Sequence, residues 1–434
     1  YAPRANGESV VTAAVDIKGW CPGARRPMPS GDGLIVRVRP HGGALPVAAL
    51  RDLAEAAERF GNGQIDLTRR ANLQIRGVSP ATLAPLWEVL ERLRVLDDSA
   101  ELEAIRNIVI NPLAGLDPAE MIDMRPVAAE LEALLASDQA LEALPAKFGF
   151  VLDGGGRLPL TDLAADVRLA ACDRDGRGRV ALGMAAMDGV AWLGTTDAAD
   201  APAKAVQLAR LVLQHSPTRR SATLPSTMQT ALSAALGLTV SDAIATRAIA
   251  PSERCGLIAL TDQTCAVGLG APFGRLDSET LMRLAAVLAA DDVCEIRLSP
   301  WRRLYVAVRR ETAAQCVSDA ARLGLIVDDS DPLMRIDACS GVGGCPSTGL
   351  ATRQHARMLV AAMARTGFKG SLHVSGCAKG CARSAPAELV LAGDGDHYRI
   401  IRHGTVKSAS CGMFDPARDG TAAGLFRASE NDDV

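Results

Sequence analysis

The sequence predicts an α+β protein assembled from two copies of one folding unit. Three observations carry that expectation. Strand-like and helix-like stretches alternate through the first hundred or so residues. The element Q-I-D-L-T-R-R-A-N-L-Q-I-R-G-V at 64–78 returns as C-E-I-R-L-S-P-W-R-R-L-Y-V-A-V at 294–308. Four cysteines fall in two glycine-rich pairs, all within the second copy.

Residues 1–30 read as an irregular arm, Pro- and Gly-rich towards their end (G-W-C-P-G-A-R-R-P-M-P-S, running into G-D-G). Residues 31–98 form a first half-domain. Its stretch 33–39 alternates as a half-buried strand does. Residues 45–60 carry a helical period, and Gly61-Asn62-Gly63 stops that helix. Residues 64–78 give two short strands around an Arg-rich centre, and 81–94 a second amphipathic helix. Strand–helix–strand–helix is half of a ferredoxin-like unit. Residues 99–215 form a larger α+β domain. It holds a strand within 104–118, a helical stretch over 119–144 and a strand ending at Gly154–Gly156. Hairpin strands at 167–182 and 186–193 and a helix at 203–215 complete it. Residues 216–249 read as a linker.

The pattern then recurs. Residues 250–328 form a second half-domain, 329–415 an α+β domain carrying the paired cysteines, and 416–434 a polar tail. Ile65 aligns with Ile296, Leu67 with Leu298, Thr68 with Ser299 and Leu73 with Leu304. L-A-A-C-D-R-D-G-R-G-R-V is echoed by L-V-L-A-G-D-G-D-H-Y-R-I. A period near 230 residues means two similar halves rather than a solenoid.

Composition narrows the function. The 434 residues allow two to four domains. The net charge is -3, there is no basic tract, and aromatics are 3%, so a nucleic-acid partner is not expected. No run of about 18 apolar residues suggests a membrane span. The start lacks the charged n-region and apolar core of a secretory signal. Of the 11 cysteines, Cys21, Cys172, Cys255, Cys265, Cys294, Cys316 and Cys411 have no paired spacing. That favours free thiols in a reducing cytoplasm over a disulfide framework.

The strongest chemical signal is Cys339 and Cys345 (C-x5-C) with Cys377 and Cys381 (C-x3-C). Four thiolates in two glycine-rich loops suit a cubane iron–sulfur cluster. Zinc is the next candidate, but zinc ribbons use paired C-x-x-C knuckles. The bland reading, four buried free cysteines, fits two close pairs poorly. Arg69, Arg70 and Arg76 form a second concentration, with Arg302 and Arg303 near the matching place of the other copy. Arg70 and Arg76 stand an even number apart on a strand, so they are expected to share a face. Guanidinium forks grip carboxylates in two places at once. Solvated surface charge is the plain alternative; their presence in both copies points instead to a shared polyanionic ligand. Arg106 and Lys147 belong to the same first copy. No pair of the six histidines has metalloprotease spacing, and His373 either faces the cysteines or packs. No G-x-G-x-x-G opens a helix, so electrons are expected from a partner.

These cysteine pairs, with the duplicated T-R-R-A-N-L-Q-I-R-G element, resemble the nitrite/sulfite reductase superfamily over nearly the whole chain. The resemblance implies two ferredoxin-like half-domains that pair, and two larger α+β domains. It implies a 4Fe-4S cluster on Cys339, Cys345, Cys377 and Cys381, which in the reductases sits beside a sirohaem. Arg70, Arg106 and Lys147 fall on the family's anion- and macrocycle-binding positions. The chain departs from the reductases in three places. Lys147-Phe148-Gly149 stands for K-F-K, G-C-A-K-G-C-A for C-P-N-x-C, and the opening C-P-G…P-M-P-S-G-D-G-L-I-V-R is atypical. Those segments look like the oxygen-dependent branch of the superfamily. That branch acts in aerobic cobalamin synthesis, converting the metal-free tetrapyrrole precorrin-3A to the hydroxylated γ-lactone precorrin-3B.

The resemblance therefore implies a cytoplasmic monooxygenase. It uses molecular oxygen and an external electron donor, a reductase or ferredoxin. Cys381 and Lys379 are its expected catalytic residues. Arg70, Arg76, Arg106, Lys147, Arg302 and Arg303 are expected to meet the carboxylates. A mononuclear non-haem iron is a further option, although no facial triad of two histidines and a carboxylate is visible in the sequence. A sirohaem-dependent assimilatory nitrite or sulfite reductase is the alternative.

Overall fold

A computed structural model describes residues 20–172, 178–186, 189–240, 254–418 and 423–426. Residues 1–19 of the expected arm and most of the tail beyond 418 lie outside them. The described chain forms two compact bodies, Trp20–Met334 and a second that begins at Arg335. No helix among the described residues is long and apolar enough to cross a membrane.

The first body opens with β1 (Met28–Ser30), β2 (Gly33–Val38), β3 (Ala44–Pro46), α1 (Val47–Phe60), β4 (Gln64–Leu67), β5 (Leu73–Val78) and α2 (Pro80–Arg92). Helix α1 buries one stripe, Ala49, Leu50, Leu53, Ala54 and Ala57, at the spacing an amphipathic helix requires. Ser79 starts α2 with a reciprocal cap shared with Thr82, which satisfies two otherwise orphaned N–H groups.

The chain continues through α3 (Ala100–Ile105), β6 (Ile108–Ile110), α4 (Met124–Ala136), β7 (Phe150–Asp153), β8 (Val167–Ala171), β9 (Arg179–Ala186), β10 (Gly189–Asp197), α5 (Ala201–His215) and α6 (Gln229–Ala235). Residues 216–240, read as linker, fold onto this layer. Leu224, Leu232 and Leu236 enter its core, and Arg220 ion-pairs with buried Asp166. Polar and small residues around these leucines hid the packing from a composition reading.

The second half-domain follows as β11 (Gly256–Ala259), β12 (Thr264–Gly270), β13 (Arg275–Asp277), α7 (Ser278–Ala290), β14 (Glu295–Leu298), β15 (Arg303–Arg309) and α8 (Arg310–Arg322). The second body contains β16 (Ile336–Ala338), α9 (Thr352–Thr366), β17 (Leu372–Ser375), β18 (Ala387–Asp394), β19 (His397–Gly404) and β20 (Gly412–Phe414).

Strand pairing makes the duplication explicit. The two half-domain sheets run β1-β2-β5-β4-β13 and β11-β12-β15-β14-β3. Each therefore ends on a strand lent by the other copy. In β13, Leu276 pairs with Ile65; in β3, Leu45 pairs with Ile296. Internal registers repeat as well. Ile65 faces Ile75 and Leu67 faces Leu73, as Ile296 faces Val306 and Leu298 faces Leu304. Leu50 and Leu53 of α1 share one core with Leu281 and Leu284 of α7. The two remaining sheets also match. β6, β7 and β8 are parallel, and β9 and β10 return antiparallel; β16 to β20 repeat that order.

One buried ion pair locks the exchanged strand. Arg275 of β13 donates to Asp66 of β4 through Nε at 2.6 Å and Nη2 at 2.8 Å. Arg76 approaches the same carboxylate, Nε lying 3.9 Å from Oδ2. Removing one partner of such a pair strands the other charge. Asp66→Ala is therefore expected to destabilise the first body by about 3–5 kcal/mol. Urea unfolding should show a clearly lowered midpoint; an unchanged midpoint would contradict this role.

Candidate functional site

The four cysteines are gathered by sheet geometry. β16 and β17 are parallel neighbours, with Ile336 beside Leu372 and Ala338 beside Val374. Parallel strands finish at the same edge of a sheet, where open α/β sheets place their ligands. Cys339 follows β16 directly, and Cys377 follows β17 within two residues. The loops are stitched together there. Cys339 N donates to Val374 O at 3.1 Å, Gly376 N to Cys339 Sγ at 3.2 Å, and Thr352 Oγ1 to Cys339 O at 2.8 Å. A Cβ at Gly376 would stand 2.5 Å from Thr348 Cγ2, and one at Gly393 2.3 Å from Gly376 O. Only glycine lets the two loops and β18 approach this closely.

The thiols feel one another. Burial pushes Cys381 up to about 11; Lys379 opposes that rise, and Cys339, Cys377 and Cys345 add to it. Burial likewise raises Cys377, against a backbone N–H from Lys379, with Cys345 and Cys339 contributing. Two thiols whose ionisation is disfavoured, Cys377 and Cys381, beside Cys339 and Cys345, with backbone N–H groups of Gly376 and Lys379 aimed at sulfur, make a donor set that a cationic centre would suit. A zinc ion would draw its sulfurs to about 2.3 Å from one point. Among the described residues no three or more His, Cys, Asp or Glu side chains are placed to hold a metal ion. The donors fit a cubane cluster, which distributes its thiolates over several irons. His373, on β17, is buried within the sheet. In the first copy, the matching strand ends carry Asn111 and Asp153 instead, joined at 3.0 Å.

The cations lie in the first body. Arg70 occupies the turn between β4 and β5, where Thr68 Oγ1 accepts from the N–H groups of Arg70 and Asn72 at 3.2 and 3.1 Å. Its Nη2 donates to Lys147 O at 3.1 Å. Its Nη1 is buried without a partner, and burial lowers its pKa. The Lys147 side chain is exposed. So the structure brings Arg70 and Lys147 together.

Three expected ligands are placed otherwise. Arg76 is held by Asp32, Nη2 to Oδ1 at 2.7 Å, and by Ser30 at 3.1 Å. Arg106 is held by Asp97 at 2.7 and 2.9 Å and by the carbonyl of Arg39 at 2.8 Å. Burial opposes the Arg106 cation, but Asp97 and Glu132 outweigh it and raise its pKa. Arg303 is held by Asp329 at 2.8 Å and by Cys255 Sγ at 3.0 Å. The charge of all three is matched inside the chain, which spacing alone does not reveal. Arg70 and Arg76 do not share a strand face either, because Arg70 lies in the turn. Register also corrects the symmetry of the arginines. The shift from Ile65 to Ile296 carries Arg70 onto Trp301 and Ala71 onto Arg302. Ala71 and Arg302 share a left-handed backbone, with φ of 51° and 61°. Trp301 stacks under Arg254 at 3.9 Å.

The structure adds Arg37 to the cationic set, with Cys21 beside it. Arg37 lies on β2 and is only 8% exposed. Burial lowers its pKa, and Cys21 is the group that most favours its charge. The arm lies against this strand, with Arg37 N donating to Gly23 O at 3.2 Å and Arg39 Nη2 to Pro22 O at 3.4 Å. The C-P-G signal was legible, but not where it would fold.

Comparison with known proteins agrees with these features. Residues 26–93 match the nitrite/sulfite reductase ferredoxin-like half domain, and residues 101–324 match the nitrite and sulphite reductase 4Fe-4S domain. The paired cysteines lie beyond both matched segments. The chain is 34% identical over 425 residues to a precorrin-3B synthase of Sinorhizobium sp, covering 95% of this chain and 88% of that one. A sulfite reductase [ferredoxin] 2 of Mycolicibacterium paratuberculosis is 25% identical, covering 83% and 69%. An assimilatory ferredoxin-dependent nitrite reductase of Haloferax mediterranei matches 34% of this chain at 30% identity, or 27% of its own length. The solved NirA protein of Mycobacterium tuberculosis superposes with a TM-score of 0.72 at 19% identity, covering 89% of this chain and 79% of NirA; that likeness establishes the duplicated α+β fold. The near full-length match, with both domain matches, places the chain in the precorrin-3B synthase family of the nitrite/sulfite reductase superfamily.

Proposed function

We propose that this chain hydroxylates precorrin-3A with molecular oxygen and closes the γ-lactone of precorrin-3B. The observation that carries the reading is the near full-length relationship to a precorrin-3B synthase, joined to four clustered thiols and a partly uncompensated cationic set. Such a reaction places one oxygen atom in the macrocycle and releases the other as water. It needs two electrons, supplied by an external reductase or ferredoxin.

Cys339, Cys345, Cys377 and Cys381 are the residues to hold a 4Fe-4S cluster, with Gly376 N and Lys379 N donating to sulfur. Bound there, the cluster would supply the one-electron chemistry that direct reaction of triplet oxygen with a closed-shell carbon lacks. Lys379 is exposed and stands two residues before Cys381. Among the expected cations, Arg70 and Lys147 are those whose side-chain charge meets no carboxylate at salt-bridge distance among the described residues. We assign them to the acetate and propionate arms of the substrate, with Arg302 as a further candidate. Arg76, Arg106 and Arg303 act one step back, stiffening the elements that carry the others.

The test is aerobic turnover of precorrin-3A with a reductant and ¹⁸O₂. One labelled oxygen atom in an oxidised lactone product is expected; no oxidised product sinks the assignment. Binding tests the division of cations. Arg70→Ala should weaken anaerobic precorrin-3A binding by about 1.5–3 kcal/mol, roughly ten- to hundredfold in Kd, with folding intact. Unchanged affinity rejects Arg70 as a ligand.

A further inference from the structure

The Cys21-Pro22-Gly23 segment has no part in the reaction described so far, yet the fold holds it firmly. Glu103 accepts from the backbone N–H groups of Ala24 and Arg25, the latter at 3.0 Å. Trp87 Nε1 donates to Ala24 O at 2.8 Å, and Arg39 Nη2 to Pro22 O at 3.4 Å. A Cβ at Gly23 would lie 2.3 Å from Glu103 Oε2, so glycine is needed to seat the turn on that carboxylate. The half-buried Cys21 thiol hydrogen-bonds the Arg37 guanidinium and lies within electrostatic reach of that of Arg70.

Both arginines have donor capacity to spare. Gln74, oriented with its amide oxygen inward, accepts from Arg37 Nη2 at 3.0 Å and Nε at 3.3 Å. Arg37 Nη1 is buried and meets no partner, and neither does Arg70 Nη1. Burial is the largest influence against either charge; Arg70 further disfavours that of Arg37 and Arg220 that of Arg70, and the group that most favours each is Cys21. Buried N–H donors without partners are rare, because each forfeits its hydration. Here two of them belong to guanidinium groups that share Cys21 as a neighbour, and its sulfur carries no oxygen of its own.

We propose that Cys21 is a reversible oxidation site, whose sulfenate oxygen takes the unpaired Nη1 donors of Arg37 and Arg70. The oxidant is a peroxide. The sulfur attacks one peroxide oxygen, the S–O bond forms and the O–O bond breaks. The departing oxygen leaves as water after protonation. Sulfur loses two electrons and the peroxide gains them. Low-molecular-weight thiols reverse the change through a mixed disulfide. Adjacent cations favour the oxyanion product. Resting on the assignment of Arg70 to substrate carboxylates, the same oxygen competes for the arginine a carboxylate arm would use. Oxidation at Cys21 then lowers tetrapyrrole affinity.

The experiment treats the holoprotein with low hydrogen peroxide and a dimedone-type probe, then maps labelled peptides by mass spectrometry. Exposed Cys294 and Cys411 are internal controls. Cys21 should be labelled roughly tenfold faster than either, and Arg70→Gln should bring it down to their rate. Arg37→Gln should do the same; because Arg37 is deeply buried, the half-buried Arg70 is the decisive variant. Faster labelling of Cys294 or Cys411, or an Arg70→Gln rate equal to wild type, overturns the site. A second arm titrates uroporphyrin, an air-stable polycarboxylate tetrapyrrole, before and after oxidation. Weaker binding restored by dithiothreitol supports control of the substrate site. Cys21 oxidation with unchanged uroporphyrin binding overturns that control and counts against Arg70 as a carboxylate ligand, while the oxidation site itself stands.

Discussion

Each half-domain completes its sheet with a strand from the other copy, and the first body is built around that exchange. Neither β3 nor β13 is long enough to be stable alone; each has three residues. Paired with β14 and β4, they close two sheets and bring α1 and α7 into one core. Asp66 and Arg275 fix the register of one exchange with two short hydrogen bonds. The turns beyond β4 and β14 are thereby held at defined places, and one of them carries Arg70.

The second constraint is an accounting of charge. Arginine is abundant, but most of it is structural. Arg76, Arg106, Arg275 and Arg303 each face a carboxylate of the same chain at 2.6–2.8 Å. Such pairs add little net stability but are costly to break singly. What distinguishes Arg37 and Arg70 is the reverse, a buried donor with nothing to meet. Polyanion recognition belongs with groups left uncompensated, not with the densest run of arginine. The thiols show the same logic with opposite sign: burial and the neighbouring cysteines raise Cys377 and Cys381, which a cationic centre would relieve.

Much of this was legible in the sequence, unevenly. The duplication was, because β4–β5 and β14–β15 repeat their apolar register residue for residue. So was the pairing of the cysteines, whose loops leave neighbouring parallel strands. The fate of individual arginines was not. Spacing placed Arg70 and Arg76 on one face, yet Thr68 folds the chain into a turn at Arg70, and Asp32, distant in sequence, captures Arg76. Residues 216–240 read as linker because their buried leucines are separated by polar residues. Arg37 was not singled out, because alternation cannot show that an arm pinned by Glu103 will pack against the strand.

The central claim is that the tetrapyrrole is this chain's substrate and not its resident haem. The most direct measurement is the absorption spectrum of anaerobically purified protein, taken with its iron and acid-labile sulfide content. The account predicts a brown protein with broad iron–sulfur absorption, with iron and sulfide in near-equal amounts. An intense sirohaem Soret band in the protein as isolated would contradict it and return the chain to the reductases.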